Sequence, residues 1–273
     1  MTEPRGAAAG PLCVYFHGCP GGPAETGWFE AAARGAGVRL VALDRAVLAP
    51  AATGGAYFDA LAAEVDALAR GTPVRLVGFS LGAFVAVETA LRLRCPLAGL
   101  DLISPAGPLD GDDVLDSMAG GPLFRLAMRS PGLFRLTTWA QGLAVRLAPR
   151  AVVDGLFARA QGAEARLAAS RDFRVTLVEL LARSYGPARA GYVRDILSYV
   201  RPWSGDLQGA HLPARIWQGE ADAWAPPALA AALAARLTGT QVTLFPGLGH
   251  YSTLFETMPM ILGDIGAAGG ARA

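Results

Sequence analysis

The stretch Gly78-Phe79-Ser80-Leu81-Gly82 decides the fold of this chain. It has the pattern G-x-S-x-G, follows an apolar run at residues 74–77 and precedes another at 83–93. In that setting the pattern is typical of a sharp turn between a strand and a helix, which presents a nucleophilic serine hydroxyl. The two glycines let strand and helix approach closely, and the serine is predicted to have a strained backbone conformation.

The same pattern has a simpler interpretation, in which Ser80 only caps the helix that follows it. From the glycine and serine content of the chain, about 0.1 matches to G-x-S-x-G are expected by chance. The pattern alone is therefore a moderate signal. Partners for Ser80 have to be found elsewhere in the sequence.

The overall composition is that of an ordinary globular protein. Of the 273 residues 52% are hydrophobic and 17% are charged, and the formal net charge is +1. This length predicts one large core, with or without an inserted cap. The even charge balance favours a small-molecule substrate, no nucleic-acid partner and no stable membrane association. Because all 24 basic residues are arginine, a lysine nucleophile is excluded.

The first residues and the cysteines indicate the cellular compartment of the chain. The segment Met1-Thr2-Glu3-Pro4-Arg5-Gly6 has an acid and a proline where a signal peptide would have a basic start and an apolar stretch. No run reaches the roughly 18 apolar residues of a membrane span. The three cysteines, Cys13, Cys19 and Cys95, have neither an even number nor metal-ligand spacing. We therefore expect a cytoplasmic chain without a disulfide framework or a metal.

Short apolar runs alternate with helix-like segments along much of the chain. The runs at 12–16 and 38–43 predict buried parallel strands, because they are apolar throughout. Further strands are predicted at 74–77, 97–103, 214–218 and 241–245, and helices at 28–34, 57–70, 83–93, 227–237 and from about 253. This alternation predicts an α/β fold with a mostly parallel sheet.

The beginning of the chain limits the size of that sheet. Only about eleven residues precede the first apolar run, which is too few for a hairpin. We therefore expect about six strands, with one edge exposed or paired with a partner chain.

The alternation stops at 107–203, where helix-like stretches are rich in Leu, Phe, Met and Arg. We predict a helical cap at 107–203, inserted into a core formed by residues 1–106 and 204–273. The apolar side chains of the cap, Trp139 among them, indicate either an apolar acyl or alcohol pocket or the cap's own core. Three cap arginines are expected either to meet a substrate carboxylate or to face solvent: Arg125, Arg129 and Arg135.

A serine nucleophile needs a base, and the chain offers His17, His211 and His250. His250 follows the strand predicted at 241–245. Open α/β sheets place their chemistry in loops beyond the carboxyl ends of strands. We therefore predict that His250 is the base, with a helix-capping role as the alternative.

The base needs an acid that holds it in the right tautomer. Asp222 follows the strand predicted at 214–218 and is the predicted acid, with Glu220 in the same loop as its nearest competitor. Asp222 could instead only cap the helix predicted at 227–237. Three aspartates after the strand at 97–103 would serve in a variant arrangement: Asp110, Asp112 and Asp113.

Ser80, Asp222 and His250 in this chain order, with the His17-Gly18-Cys19-Pro20 turn after the first strand, resemble the α/β-hydrolase superfamily. The resemblance covers about 12–103 and 203–265. It implies an α/β-hydrolase fold and a serine hydrolase that cleaves an ester of a small, partly apolar molecule. It also implies an oxyanion hole formed by the backbone N–H groups of Cys19 and Leu81. The resemblance implies no cofactor. It is compatible with a homodimer.

Other chemistries share this arrangement. Lyases, cyclases and cofactor-free peroxidases of the superfamily resemble it, and a non-catalytic binding protein would keep the fold. The first turn, HGCPGG at 17–22, differs from the HGGPG of prolyl aminopeptidases, which weakens a peptidase interpretation. The thiol of Cys19 either packs as a small residue or lines the acyl pocket.

Overall fold

The computed structural model describes residues 5–7, 9–109, 114–203, 207, 210 and 212–270. Within these ranges one sheet contains β1 (Arg5–Gly6), β2 (Leu12–Phe16), β3 (Arg39–Ala42), β4 (Val74–Phe79), β5 (Leu97–Ile103), β6 (Ala214–Gly219) and β7 (Gln241–Phe245). The strand order is β1-β3-β2-β4-β5-β6-β7. All neighbours are parallel except β1 and β3, which are antiparallel.

Helices connect the strands. A 3-10 helix at Pro23–Phe29 leads into α1 (Glu30–Gly35), and α2 (Gly55–Ala69) and α3 (Leu81–Ala90) flank β4. Between β5 and β6 lie α4 (Val114–Ser117), α5 (Gly121–Arg129), α6 (Pro131–Leu147), α7 (Pro149–Leu156), α8 (Gly162–Ala169), α9 (Arg171–Tyr185) and α10 (Arg189–Tyr199). We call α4–α10 the helical insert. The chain continues through α11 (Pro227–Ala234) to α12 (His250–Gly270).

Apolar side chains cover the sheet on both faces. Residues of α2, α3 and α10 pack on one face, and residues of α1 and α12 pack on the other. Every residue of β2 is buried, as its uninterrupted apolar sequence predicts. The sheet is therefore a rigid layer whose carboxyl ends hold the candidate site. None of the helices within the described ranges is long and apolar enough to cross a membrane.

The sheet has six parallel strands, as expected, and a short seventh strand that the sequence did not indicate. The two residues of β1 pair with Arg39 and Leu40 of β3. They cover the edge that we expected to be exposed or partner-bound. A single two-residue strand needs no hairpin, so the small number of preceding residues did not exclude it. The opposite edge strand, β7, is largely exposed.

The two helices next to the candidate site begin earlier than the sequence predicts. Helix α3 begins at Leu81 rather than near 83, and α12 begins at His250 rather than near 253. Both candidate residues, Ser80 and His250, therefore stand at the amino-terminal end of a helix. The boundaries that we predicted between core and cap, at 106 and 204, stay a prediction.

Candidate active site

Ser80 lies in the turn between β4 and α3 with a positive φ (φ 55°, ψ −127°). This region is strained for a residue with a Cβ atom. Neighbouring backbone groups hold it there. The N–H of Ser80 donates to the carbonyl of Ile103 at 3.0 Å, and its carbonyl accepts from the N–H groups of Ala83 (2.9 Å) and Ala106 (3.0 Å). The strain that the sequence predicts at Ser80 is thus present and supported from β5 and α3.

The glycines on either side of Ser80 are required by close contact. A Cβ on Gly82 would lie 2.0 Å from the carbonyl oxygen of Phe16. A Cβ on Gly78 would lie 2.6 Å from the Cα of Ala83. The atoms that would clash belong to the backbone and cannot move aside as a side chain could. Only glycine fits at either position, as the pattern indicates.

His250 and Asp222 form a buried hydrogen-bonded pair. Nδ1 of His250 lies 2.7 Å from Oδ2 of Asp222. Because a carboxylate only accepts, this contact places the ring proton on Nδ1 and leaves the lone pair of Nε2 available to a second partner. Burial lowers the pKa of His250, but the charge of Asp222 and its hydrogen bond outweigh burial. The net effect raises the pKa above its usual 6.5.

The loop after β6 fixes the carboxylate of Asp222. Its Oδ1 accepts hydrogen bonds from the backbone N–H groups of Trp224 (2.8 Å) and Ala225 (2.9 Å). This leaves Oδ2 for the imidazole. The N-cap of α11 is Pro226, so capping of that helix does not explain Asp222.

The competing candidates occupy other places. Glu220 is exposed, and the buried pair is made by Asp222. Nδ1 of His17 donates to the carbonyl of Gly18 at 2.8 Å. Burial, helped by the Arg45 guanidinium, holds the pKa of His17 well below its usual range. Four further candidates lie outside the described residues: Asp110, Asp112, Asp113 and His211.

Ser80 and His250 line the same cavity, which has a volume of about 270 Å³. Most of its wall is apolar, with side chains from α5, α7, α9 and α10. The polar side chains in the wall, besides these two, include Gln141, Tyr185 and Tyr192. No arginine, aspartate or glutamate is among the wall residues within the described ranges. The cavity is therefore suited to a neutral ligand.

A groove on the outer surface reaches the same histidine. Its volume is about 910 Å³, and its walls include Asp116, Arg159 and Glu164. Six residues line both the groove and the cavity: Met118, Ala119, Leu156, Phe157, Trp224 and His250. These shared residues form the boundary between the apolar cavity and solvent.

Two residues beside Ser80, Cys19 and Leu81, have backbone N–H groups without a partner in the described chain. Leu81 is the first residue of α3, so its N–H has no partner inside the helix. Cys19 follows Gly18, whose Cβ position lies 3.7 Å from the Cβ of Ser80. Neither N–H donates to another residue in the part of the chain that the structure describes. Cys19 and Leu81 both line the cavity.

Cys19 lines the cavity and is also one of the partly buried residues that pack against the core, so both roles expected of its side chain stay open. Burial raises the pKa of this thiol well above its usual range. A thiol in this state is not a nucleophile at neutral pH. Among the residues that the structure describes, no group of three His, Cys, Asp or Glu side chains could hold a metal ion.

A buried carboxyl group that the sequence did not reveal supports the 17–22 turn. Glu25 accepts hydrogen bonds from the hydroxyl of Tyr15 (2.7 Å) and from the N–H groups of Gly18 and Gly22 (both 3.3 Å). Burial raises the pKa of Glu25 to about 7, although the hydrogen bonds oppose this shift. A single acidic residue after a Pro-Gly turn is typical of an exposed loop, so the sequence gives no sign that Glu25 is buried.

The helical insert holds the same turn from the other side. Arg45, which follows β3 and is buried, pairs with Asp195 of α10 (2.9 Å) and donates to the carbonyl of His17 (2.8 Å). The hydroxyl of Ser184 in α9 accepts from the N–H of Gly21 (3.1 Å) and donates to its carbonyl (2.9 Å). Helices α9 and α10 therefore fix the loop that carries the N–H of Cys19.

A second carboxylate of the insert lies next to the candidate base. Glu164 of α8 accepts from the N–H groups of Tyr251 (3.0 Å) and Ser252 (2.7 Å), in the first turn of α12. That turn begins at His250. The charge of Glu164 also acts to raise the pKa of His250, after the larger effects of burial and of Asp222. Nothing in the sequence of α8 indicates this long-range partner.

Comparison with known proteins agrees with the fold. A family model described as the alpha/beta hydrolase family matches residues 13–260. The chain therefore belongs to the alpha/beta hydrolase family, and its sheet and helices have the α/β-hydrolase fold.

Solved structures are similar over nearly the whole chain. An esterase from Exiguobacterium antarcticum is 18% identical with a TM-score of 0.68, over 96% of this chain and 94% of that one. A thermophilic esterase from Thermogutta terrifontis is 22% identical with a TM-score of 0.64, over 97% and 90%. A bromoperoxidase from Bacillus anthracis is 18% identical with a TM-score of 0.67, over 95% and 91%. At these identities the similarity establishes the fold alone. No curated protein matches the chain.

Proposed function

We propose that this chain is a serine hydrolase that cleaves carboxylic esters of small, neutral, partly apolar molecules through an acyl-enzyme. The observation that carries the proposal is the 2.7 Å hydrogen bond from His250 to Asp222, together with the cavity that His250 and Ser80 both line. A histidine held by a carboxylate beside a strained serine is the arrangement that activates a hydroxyl.

In the first step, Nε2 of His250 takes the proton of Ser80 while Oγ of Ser80 bonds to the ester carbonyl carbon. The carbonyl oxygen becomes an oxyanion and accepts hydrogen bonds from the N–H groups of Cys19 and Leu81. One such donor contributes about 3–4 kcal/mol to the transition state. Asp222 stabilises the imidazolium that forms and keeps its Nδ1 proton in place.

In the second step, the imidazolium of His250 gives its Nε2 proton to the leaving alkoxide, the ester C–O bond breaks and the alcohol departs. A water molecule then loses a proton to His250 and attacks the acyl-enzyme. Collapse of the second oxyanion breaks the bond to Oγ of Ser80, which recovers its proton. The carboxylic acid is released. These steps need only the side chains and water, so the proposal includes no metal or organic cofactor.

The cavity wall supports a neutral acyl group. A carboxylate or ammonium group in this cavity of about 270 Å³ would lose its hydration without a compensating partner, because the described part of the wall has no Arg, Asp or Glu. An aminopeptidase needs a group that pairs with the substrate's amino terminus, and the described wall offers no carboxylate for it. The cap arginines Arg125, Arg129 and Arg135 are not among the wall residues either. Ester cleavage is therefore favoured over peptide cleavage.

The test combines a covalent probe with an ester panel. The wild type should be labelled at Ser80 by a fluorophosphonate, and it should release p-nitrophenol from a butyrate ester in a burst followed by turnover. The mono-p-nitrophenyl ester of succinic acid, of similar size but charged, should be a poor substrate. Ser80→Ala should abolish labelling and turnover and keep the thermal transition of the wild type.

Three outcomes would point elsewhere. Acylation that never turns over would favour the lyase, cyclase or peroxidase alternatives. Failure of the probe to label Ser80 would favour a non-catalytic binding protein. Unchanged hydrolysis by Ser80→Ala would remove the serine assignment.

A further inference from the structure

Helix α6 of the insert is apolar on its outer side as well as on its inner side. Its inner side is buried through Phe134, Thr138 and Val145. Five large apolar side chains of the same helix have exposed fractions between 44% and 76%: Leu133, Leu136, Trp139, Leu143 and Leu147. These are five of the eleven large hydrophobic residues that are exposed in the described chain. Trp139 therefore lies neither in the cavity wall nor in the core of the insert, contrary to both of its expected roles.

The five side chains form one continuous face. At 100° per residue they occupy about 120° of the helix circumference, opposite the buried side. Met128, at the end of α5, is also exposed. The 17 residues of α6 give the face a length of about 25 Å. A solvent-facing helix normally has polar residues there, so this face is built to be covered. We call these five residues the outer face of α6.

The charges around the outer face have one sign. Between Asp116 and Asp154 the sequence has no acidic residue, but it has five arginines. Arg125 pairs with Asp116. The other four are exposed, and within the described ranges no carboxylate lies within salt-bridge distance of them: Arg129, Arg135, Arg146 and Arg150. The net charge of +1 for the whole chain hides this local excess.

We propose that the outer face of α6 docks reversibly on an anionic lipid bilayer, with the helix axis parallel to the membrane plane. A helix with Leu and Trp on one side and Arg at its borders has the pattern of interfacial membrane helices. The apolar side chains enter the acyl boundary, the indole of Trp139 lies at the headgroup level, and the arginines meet lipid phosphates.

Charge distinguishes a bilayer from a second copy of the chain. In a symmetric dimer the same patch lies on both subunits, so the four arginines would face one another. The sequence between Asp116 and Asp154 has no acidic residue to offset them, and these two aspartates themselves pair with Arg125 and Arg174. An anionic bilayer offers the complementary charge. Docking through one helix is peripheral and requires no membrane-spanning segment.

The experiment is a vesicle flotation assay with the full chain. Vesicles of phosphatidylcholine mixed with phosphatidylglycerol should bind the wild type at low salt. Pure phosphatidylcholine vesicles should bind it much less, and added salt should release it. Arg129→Gln/Arg146→Gln should weaken binding by roughly fivefold for each arginine. Leu136→Gln/Leu143→Gln should abolish it.

Two further variants locate the contact. Trp139→Phe should still bind the mixed vesicles but lose most of the blue shift of tryptophan fluorescence. Val242→Gln/Leu244→Gln removes similarly exposed apolar residues from β7 and should bind like the wild type. Circular dichroism checks that each variant is folded.

The proposal is wrong if the wild type does not float with anionic vesicles at low salt, or if the α6 and β7 pairs lose binding equally. It is also wrong if the wild type is a dimer in solution that Leu136→Gln/Leu143→Gln makes monomeric, because the face then covers a second copy.

Discussion

Glu164 of the helical insert accepts a hydrogen bond at 2.7 Å from the backbone N–H of Ser252, in the helix that begins at His250. The positive end of a helix dipole disfavours a protonated imidazole placed beside it. A carboxylate at that end offsets the dipole. The insert thus contributes charge to the candidate base and not only apolar wall to the cavity.

Glu164→Gln should shift the acidic limb of the pH profile of kcat/KM to lower pH. The reason is that the charge of Glu164 helps to raise the pKa of His250, and a neutral amide of the same shape removes that effect. The burial of His250 and the carboxylate of Asp222 are unchanged, so the shift should be smaller than that caused by loss of Asp222. The measurement is ester hydrolysis by the wild type and the variant across pH 5 to 9, a range of about four units around the usual pKa of histidine.

A matched control is Glu256→Gln, which removes a charge of the same sign from an exposed position on the same helix. Its profile should overlay that of the wild type. NMR titration of the three histidines gives the same comparison without any activity. If the pKa of His250 from this titration is the same in Glu164→Gln and the wild type, the prediction is wrong.

Asp222→Asn should lower kcat by about 10³–10⁴-fold while the protein stays folded. An amide at this position can hold the ring in the wrong tautomer, so that Nε2 carries the proton and cannot accept one from Ser80. Glu220→Gln changes the competing acid in the same loop and should leave kcat within about twofold, because Glu220 is exposed. Steady-state kinetics on one ester decides between the two acids.

Glu25→Gln should flatten the pH dependence of stability between about pH 4.5 and 7. The folded state raises the pKa of Glu25 from 4.5 to about 7, so it binds the proton more tightly than the unfolded chain does. The free energy of unfolding of the wild type therefore falls as pH rises through this window, by about 3 kcal/mol from this group, and is level above it. Glutamine does not titrate.

Urea denaturation at a series of pH values measures this slope. Glu220→Gln, at an exposed position, should keep the slope of the wild type. Equal slopes in Glu25→Gln and the wild type would show that Glu25 is not the titrating group.

Gly82→Ala should destabilise the chain by about 3 kcal/mol or more and abolish labelling of Ser80. The added Cβ would lie 2.0 Å from the backbone oxygen of Phe16, which moves β2 and the 17–22 turn. Gly132→Ala is the control, because a Cβ there meets nothing within 4 Å. It should unfold at or slightly above the wild-type midpoint. Calorimetry of both variants makes the comparison.

Local patterns predicted much of the fold and of the site. The G-x-S-x-G stretch specifies its own turn, because the two glycines are the only residues that fit it. The position of Asp222 and His250 after strands brought them to one edge of a parallel sheet, where they form their hydrogen bond. Local patterns are sufficient there because a parallel sheet brings the carboxyl ends of its strands, and the loops that follow them, to the same edge.

Long-range contacts could not be predicted in this way. Glu164 and Ser252 are 88 positions apart, and Arg45 and Asp195 are 150 apart. No periodicity reveals which helix a charged side chain will meet. The outer face of α6 was not predicted for another reason: a helix with apolar residues on two opposite sides is typical of a buried helix, and only the fold shows that one of these sides is uncovered.

The buried pair of Arg45 and Asp195 limits where a ligand can enter the cavity. Separating it would leave a guanidinium without its counter-charge in the interior, which costs about 3–5 kcal/mol. Helix α10, which carries Asp195, is therefore held firmly against the 17–22 turn. The cavity meets the groove at another place, where both are lined by residues such as Met118 and Trp224. The passage between cavity and groove is thus bounded by six residues, and none of them belongs to the 17–22 turn or to α10.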